Sequence, residues 1–278
     1  MRQIHTKEIT AAVARLCIKA CVDVAPDIRA HMQRGLENEV GNARQILADM
    51  LENQEVARQT RLPICQDTGM AVVFLEVGQD VHIIGDIEKA VNDGVAQGYT
   101  VGYLRKSVVD DPLNRQNTGN NTPAVINYSI VPGDGLKIIV CPKGFGSENM
   151  SRLKMLTPAA GRQGIEDFVM ETVRLADANA CPPIIVGVGV GGTFDYAAVL
   201  AKKALLRHIG SVNTNPAWAE IEADLLEKIN ATGIGPAGFG GRMTAMAVHI
   251  NTYATHIAGL PVAVNLGCHV YRHEEETL

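Results

Sequence analysis

The longest apolar run of this 278-residue chain, residues 183–192, is interrupted by glycines. It reads PIIVGVGVGG, which is far short of the ~20 apolar residues that a membrane-spanning helix needs. The run predicts a strand, which leads into a helix predicted from Phe194 to His208. With 46% hydrophobic residues, the chain has ample material to bury such strands in a large core.

The first 60 residues have a different periodicity. Apolar residues such as Ile9, Val13 and Leu16 recur at helical spacing. Strand-like runs follow at residues 70–78, 124–130 and 136–141. Strands and helices do not alternate strictly as they do in a doubly wound fold. We therefore predict an α+β (mixed α/β) fold, with a helical N-terminal layer packed on a mixed β-sheet with flanking helices, as a single domain over residues 1–278.

The charge pattern excludes several classes of partner. The net charge is −5, no run of Lys and Arg occurs, and aromatic residues make up only 4% of the chain. These features give no support for binding to nucleic acid or to an anionic membrane. The polar N-terminus shows no secretory signal. We expect a soluble, cytoplasmic protein with neither nucleic acid nor membrane as a partner.

The six cysteines are too few for a disulfide scaffold in a chain of this length. Cys17 and Cys21 lie four residues apart on an apolar helix stripe, which indicates buried structural thiols. Three of the remaining cysteines, if they converged on one metal centre, would leave a coordination position open for Lewis-acid catalysis. Ordinary buried thiols are the alternative. The four cysteines predicted in loops or at strand ends are Cys65, Cys141, Cys181 and Cys268.

Motifs next to these cysteines carry a family resemblance. They are PICQDTG, R-x-S…DP…NTG-x-NTPA, KG-x-GSEN, ACPPIIVGVGVGGT and H-x₆-H-x-AGLPVAVN-x-GCH. In this order, from about Ile9 to the C-terminus, they resemble the class I fumarate hydratase and tartrate dehydratase family. One departure is Phe145, where the family prefers glycine.

The resemblance implies a cofactor and a set of site residues. Cys65, Cys181 and Cys268 match the three family cysteines that ligate a 4Fe–4S cluster with one open iron, whereas Cys141 falls outside the motifs. The substrate-binding positions implied are Gln66, Arg105 and Gly146, and the catalytic positions are Asp67 and His256.

The chemistry of a dicarboxylic acid agrees with these assignments. Each carboxylate needs a cation or aligned N–H donors, and the guanidinium of Arg105 offers two parallel donors. Asp67, two residues from a candidate ligand, is placed to move a proton at the substrate hydroxyl. A lone loop arginine is usually a surface charge, and Asp67 in DTG is also a common turn former.

We therefore expect the catalytic alpha subunit of a 4Fe–4S hydro-lyase that hydrates fumarate to malate reversibly. An L(+)-tartrate dehydratase or mesaconate hydratase alpha subunit is the alternative. A beta subunit is expected to complete the active site, in a heterotetramer or another homo- or hetero-oligomer.

Rival classes make different predictions. A non-catalytic iron–sulfur protein would bind its cluster through protein thiolates alone, and an anion-binding module would hold no metal. Gly187 to Gly192 also fits the dinucleotide pattern G-x-G-x-x-G. That site needs an acidic residue ~20 positions further on, after a second strand. The chain has Arg207 and His208 there, so we expect no nicotinamide site. The helix that follows could still support an anion, or the cluster's charge, at its N-terminus.

Overall fold

The computed structural model describes the whole chain, residues 1–278. Its contacts divide the chain into two compact units. The first unit comprises Met1–Ala25, Asn53–Phe145 and Arg272–Leu278, and the second comprises Pro26–Glu52 and Gly146–Tyr271. Helices and strands occur together in both units, which confirms the α+β class. The single-domain description of residues 1–278 stays a prediction.

Helices and strands are numbered here in chain order. The helices are α1 (Thr6–Val22), α2 (Pro26–Asn38), α3 (Gly41–Thr60), α4 (Ile87–Val101), α5 (Phe145–Glu148), α6 (Gly161–Ala176), α7 (Phe194–Ala204) and α8 (Pro216–Asn230). The strands are β1 (Arg2–His5), β2 (Met70–Gly78), β3 (Val81–Ile84), β4 (Val125–Val131), β5 (Leu136–Lys143), β6 (Arg152–Leu156), β7 (Ile184–Gly192), β8 (Ala245–Thr255), β9 (Leu260–Gly267) and β10 (Glu274–Thr277). None of the helices combines the length and the apolarity required to cross a bilayer.

The first unit is built on a four-stranded sheet with the order β10-β5-β2-β4. Strand β2 runs parallel to β4 and antiparallel to β5, and its central residues are buried in succession. Such a strand is apolar without alternation because both of its faces are covered. Helices α1 and α4 pack together on this core, whose largest side chains are Ile4, Ile9, Leu75, Tyr99, Leu136 and Ile138.

The second unit contains a sheet with the order β6-β9-β7-β8. Side chains of α6 and α8 form a core with one face of this sheet, and α7 packs closely on β7. A Cβ atom at Gly187 would lie 2.3 Å from the carbonyl oxygen of Ala201, and one at Gly189 would lie 2.0 Å from that of Ala197. No other residue fits there without moving the helix. These glycines of the G-x-G-x-x-G pattern therefore serve helix packing.

Strand β10 has a sequence that no hydrophobic pattern would identify. It reads EEET and pairs with β5 from Glu274 to Thr277. Two of its carboxylates form ion pairs within the first unit. Glu274 pairs with Lys19 at 2.6 Å, and Glu276 pairs with Arg15 at 2.7 Å. Exposed pairs of this kind contribute little each, so backbone pairing with β5 is the main reason for the strand.

Candidate functional site

Burial divides the six cysteines into two groups, and no disulfide links any of them. The three with buried side chains are Cys17, Cys21 and Cys141, and the three that solvent reaches are Cys65, Cys181 and Cys268. Burial raises the pKa of the Cys21 thiol to about 11, and burial followed by the neighbouring Cys21 holds the pKa of Cys17 well above its usual value. Protonated thiols are poor metal ligands, so the buried pair is structural. The accessible group coincides with the three cysteines that the family resemblance selects.

Cys65 lies in a short loop before β2 that is held by its own backbone amides. The backbone N–H of Asp67 donates to the Cys65 Sγ at 3.4 Å. The Asp67 carboxylate accepts the N–H of Gly69 on Oδ1 at 3.0 Å and that of Phe145 on Oδ2 at 2.8 Å. Asp67 is thus a turn former, as the sequence allowed, and also a tie between the loop and the residue that starts α5.

The polar segment after α4 wraps this loop from another side. Thr68 Oγ1 donates to the carbonyl of Arg105 at 3.0 Å, and the buried Tyr99 hydroxyl donates to the carbonyl of Thr68 at 2.7 Å. The Asn121 amide donates to the carbonyl of Gly69 at 3.2 Å. The structure therefore brings the Cys65 loop and the segment of Arg105 together within the first unit, and both Gln66 and Arg105 have exposed side chains.

In the second unit, strand pairing brings Cys181 and Cys268 to one end of the sheet. Strands β7 and β9 are antiparallel, with Ile185 opposite Gly267. Cys181 lies just before β7 and Cys268 lies just after β9. The pairing register of these two strands therefore places both thiols at the same end of the sheet. A hydrogen bond from the N–H of His269 to the carbonyl of Cys181, at 3.1 Å, joins the two segments.

Gly146 lies in the short helix α5 and is exposed. A Cβ atom at this position would meet only the carbonyl oxygen of Asn179, at an ordinary 3.7 Å. Packing within the chain therefore does not require glycine here, which leaves close approach of a bound molecule as a reason. The helix is anchored by Glu148, whose carboxylate accepts hydrogen bonds from Lys202 at 2.5 Å and from Asn265 at 2.7 Å.

Within the second unit, His256 lies far from Cys181 and Cys268. It is exposed in the turn between β8 and β9, where its Nδ1 accepts the N–H of Ala258 at 3.2 Å. The whole of β9, eight residues, separates this turn from Cys268. At about 3.3 Å per residue, the two ends of that strand are roughly 25 Å apart.

His249, the first histidine of the H-x₆-H motif, is a core residue of β8 with only 2% of its surface exposed. Burial, followed by the positive charge of Arg207, lowers its pKa to about 4. The imidazole is therefore neutral near pH 7, and it does not take part in the loops that carry the accessible cysteines.

The N-terminus of α7 is already satisfied by the chain itself. Asp195 accepts a hydrogen bond from the Thr193 hydroxyl at 2.6 Å. That bond makes the largest contribution to lowering the pKa of the Asp195 carboxyl, and backbone N–H groups of the first helical turn also contribute. This end of α7 also follows the end of β7 that is remote from Cys181. The Asp195 carboxylate therefore already occupies this helix end, and the expectation that it supports an anion or the cluster stays a prediction.

The three accessible thiols are the donor type that an iron–sulfur cluster takes. They stand on hydrogen-bonded loops, and one of them already receives a backbone N–H. Hydrogen bonds of this kind to sulfur are a normal feature of cluster ligands.

Sequence reasoning missed Arg272, a buried arginine whose guanidinium donates a hydrogen bond to the carbonyl of Asp67. It stands in the polar stretch YRHEEE, which has no apolar period to indicate burial. Its position four residues after Cys268 was the one available signal.

Comparisons with known proteins agree with the resemblance read from the motifs. The family model described as fumarate hydratase (fumerase) matches residues 10–277. A protein of Methanocaldococcus jannaschii, provisionally named L(+)-tartrate dehydratase subunit alpha, is 40% identical over 269 residues, 94% of each chain. The L(+)-tartrate dehydratase subunit alpha of Escherichia coli K12 is 34% identical over 276 residues, 98% of this chain and 91% of the relative. The protein of that name in Shigella sonnei gives the same figures.

Proposed function

Because this chain belongs to the fumarate hydratase family, we propose that it is the cluster-carrying alpha subunit of a hydro-lyase for small dicarboxylic acids. Enzymes of this class add or remove water. The observation that carries the proposal is the division of the cysteines by burial. The three thiols that solvent reaches are the three that the family motifs select, and the other three are buried.

Cys65, Cys181 and Cys268 are the proposed ligands of a 4Fe–4S cluster. Cys65 lies in the first unit, and Cys181 and Cys268 lie in the second. When bound, the cluster would supply an open iron, a Lewis acid for a carboxylate oxygen and the departing hydroxyl. The loops that carry these thiols are ordered by their own hydrogen bonds, so the ligands are positioned by the backbone.

Gln66, Arg105 and Gly146 are the proposed substrate-binding residues. The exposed guanidinium of Arg105 can bind one carboxylate through two parallel hydrogen bonds, and the Gln66 amide can donate another. Because Gly146 has no side chain, a bound molecule could approach its backbone closely, and packing within the chain does not explain the glycine. Together these groups orient the dianion and offset its charge.

Asp67 is the proposed proton-transfer residue at the substrate hydroxyl. Its carboxylate has about four acceptor positions, and the two backbone N–H bonds described above occupy two of them. The remaining lone pairs can receive or return a proton. The same two bonds fix the orientation of the carboxylate, which a general acid or base requires.

Fumarate is the proposed substrate, with malate as the product of hydration. L(+)-tartrate is the second candidate, since the relatives at 34–40% identity are named tartrate dehydratase subunits. Those names also describe alpha subunits. We therefore propose that a beta subunit adds carboxylate-binding groups and the base that accepts the carbon-bound proton.

Turnover of fumarate, malate and L(+)-tartrate by the anaerobically reconstituted chain, with and without its partner subunit, tests this function. We expect water addition to fumarate only when the partner is present. Turnover of tartrate alone would favour the second candidate. An absence of turnover on all three acids by an iron-loaded complex would contradict the proposal.

The ligand assignment predicts how cysteine variants retain iron. Cys65→Ser, Cys181→Ser and Cys268→Ser should each reduce iron and sulfide content after reconstitution by at least about ten-fold, because a thiolate ligand is lost. The matched controls Cys17→Ala and Cys141→Ala, at buried positions, should keep full iron content if folded. Loss of iron in Cys141→Ala with retention in Cys268→Ser would reverse the assignment.

Cys181 and Cys268 of the same chain lie at the end of β9 that is remote from His256. If His256 contacts substrate, it must therefore do so in a second copy of the chain. We propose that it serves the site of a neighbouring copy. The exposed end of β8 and the turn that follows it present His256 outward, with Tyr253 60% exposed and Ile257 91% exposed.

Mixing two defective chains tests this proposal. Cys181→Ser removes a ligand, and His256→Asn removes the imidazole, so each variant alone should be nearly inactive. Co-expressed with the partner subunit, they should recover about a quarter of wild-type activity, since half of random pairs contain one intact site of two. No recovery, or full activity of His256→Asn alone, would remove His256 from the mechanism.

A further inference from the structure

Arg272 is a deeply buried cation near the Cys65 loop, with 3% of its surface exposed. Its Nη2 donates a hydrogen bond to the backbone carbonyl of Asp67, within the first unit. Burying a guanidinium carries a large desolvation cost unless its surroundings need a positive charge. This cost makes the position of Arg272 informative.

The charge of Arg272 reaches the groups around the loop. Burial raises the pKa of both the Cys21 thiol and the Tyr99 phenol, and Arg272 acts against that rise in each. Asp67 adds to the rise in both, so the cation and the carboxylate share one buried corner with them.

Besides the two bonds to the Asp67 carboxylate, the other sides of the loop are held by steric contact and by neutral hydrogen bonds. A Cβ atom at Gly69 would lie 2.5 Å from the backbone carbonyl of Lys143, so the loop presses directly on the end of β5. Tyr99 and Asn121 supply the neutral bonds described above. The carbonyl of Asp67 is the point at which Arg272 adds a charged donor, and charge-assisted bonds are stronger than neutral ones.

We propose that Arg272 is a positioning residue, which holds the Cys65–Gly69 loop in the form that presents its thiol. The proposal rests on the proposed function only in calling Cys65 a cluster ligand. The loop geometry itself is a property of the chain without iron. Arg272 acts through the loop and needs no contact with substrate.

Amide hydrogen exchange in the cluster-free full-length chain tests the positioning role. Three amides report on the loop, those of Asp67, Gly69 and Phe145, because each donates a bond that depends on its shape. In Arg272→Gln these three should exchange about ten-fold faster, the effect of losing one charge-assisted bond. Amides of the β2–β5 pairing should keep their wild-type rates.

Arg15→Gln is the matched control, since it removes an exposed arginine that pairs with Glu276 on β10. Its loop amides should exchange at the wild-type rate. In Arg272→Lys, which keeps the charge, they should exchange at an intermediate rate. Unchanged loop amides in folded Arg272→Gln, or faster exchange spread evenly over the first unit, would overturn the proposal. If Arg272→Gln does not fold, Arg272→Lys is judged by the same criterion.

Iron release gives a second readout that separates this proposal from the proposed function. From a reconstituted chain, a chelator should remove iron about ten-fold faster in Arg272→Gln than in Arg15→Gln. A chain that never takes up iron would contradict the proposed function, while the exchange result would still decide the role of Arg272.

Discussion

The Asp67 carboxylate is the interaction on which the site depends. It accepts one backbone N–H from within its own loop and one from the residue that starts α5. Its own N–H is directed at the sulfur of Cys65. One side chain therefore fixes the loop that presents a thiol, a carboxylate and an amide side by side. The glycine at 69, with a φ of +72°, is required by the same turn because its backbone lies directly against Lys143.

The second requirement is strand register. Because β7 and β9 are antiparallel, two cysteines that are 87 positions apart in the chain (181 and 268) reach the same end of one sheet. The same register sends His256 to the opposite end. The antiparallel pairing of β7 and β9 thus places the two cysteines as neighbours and the histidine at the far end of the same sheet.

Much of the fold could be predicted from the sequence because its larger elements carry strong apolar periods, as in α1, β2 and β7. The missed strands lack this signal. Strand β10 is EEET, and its pairing with β5 comes from the backbone and from surrounding cations. The glycines of β7 resemble a nucleotide motif, and only the approach of α7 shows that they serve packing.

For the site, local sequence indicated that PICQDTG is a loop bearing a thiol, in which Asp67 can form a turn. It did not indicate that Asp67 would also tie the loop to the residue that starts α5. The apolar helix stripe predicted that Cys17 and Cys21 are buried. For Cys141, only the family motifs distinguished it from the accessible thiols. Arg272 and the distance of His256 from Cys268 depend on tertiary pairing, which periodicity does not encode.

The central claim is that Cys65, Cys181 and Cys268 together hold a cluster whose fourth iron is open to substrate. Mössbauer spectroscopy of the iron-labelled, anaerobically reconstituted protein tests it most directly. We expect iron signals in a ratio of about three to one, with only the minor signal shifting when fumarate or tartrate is added. Four iron signals that stay unchanged with either acid, or a protein that binds no iron, would contradict it.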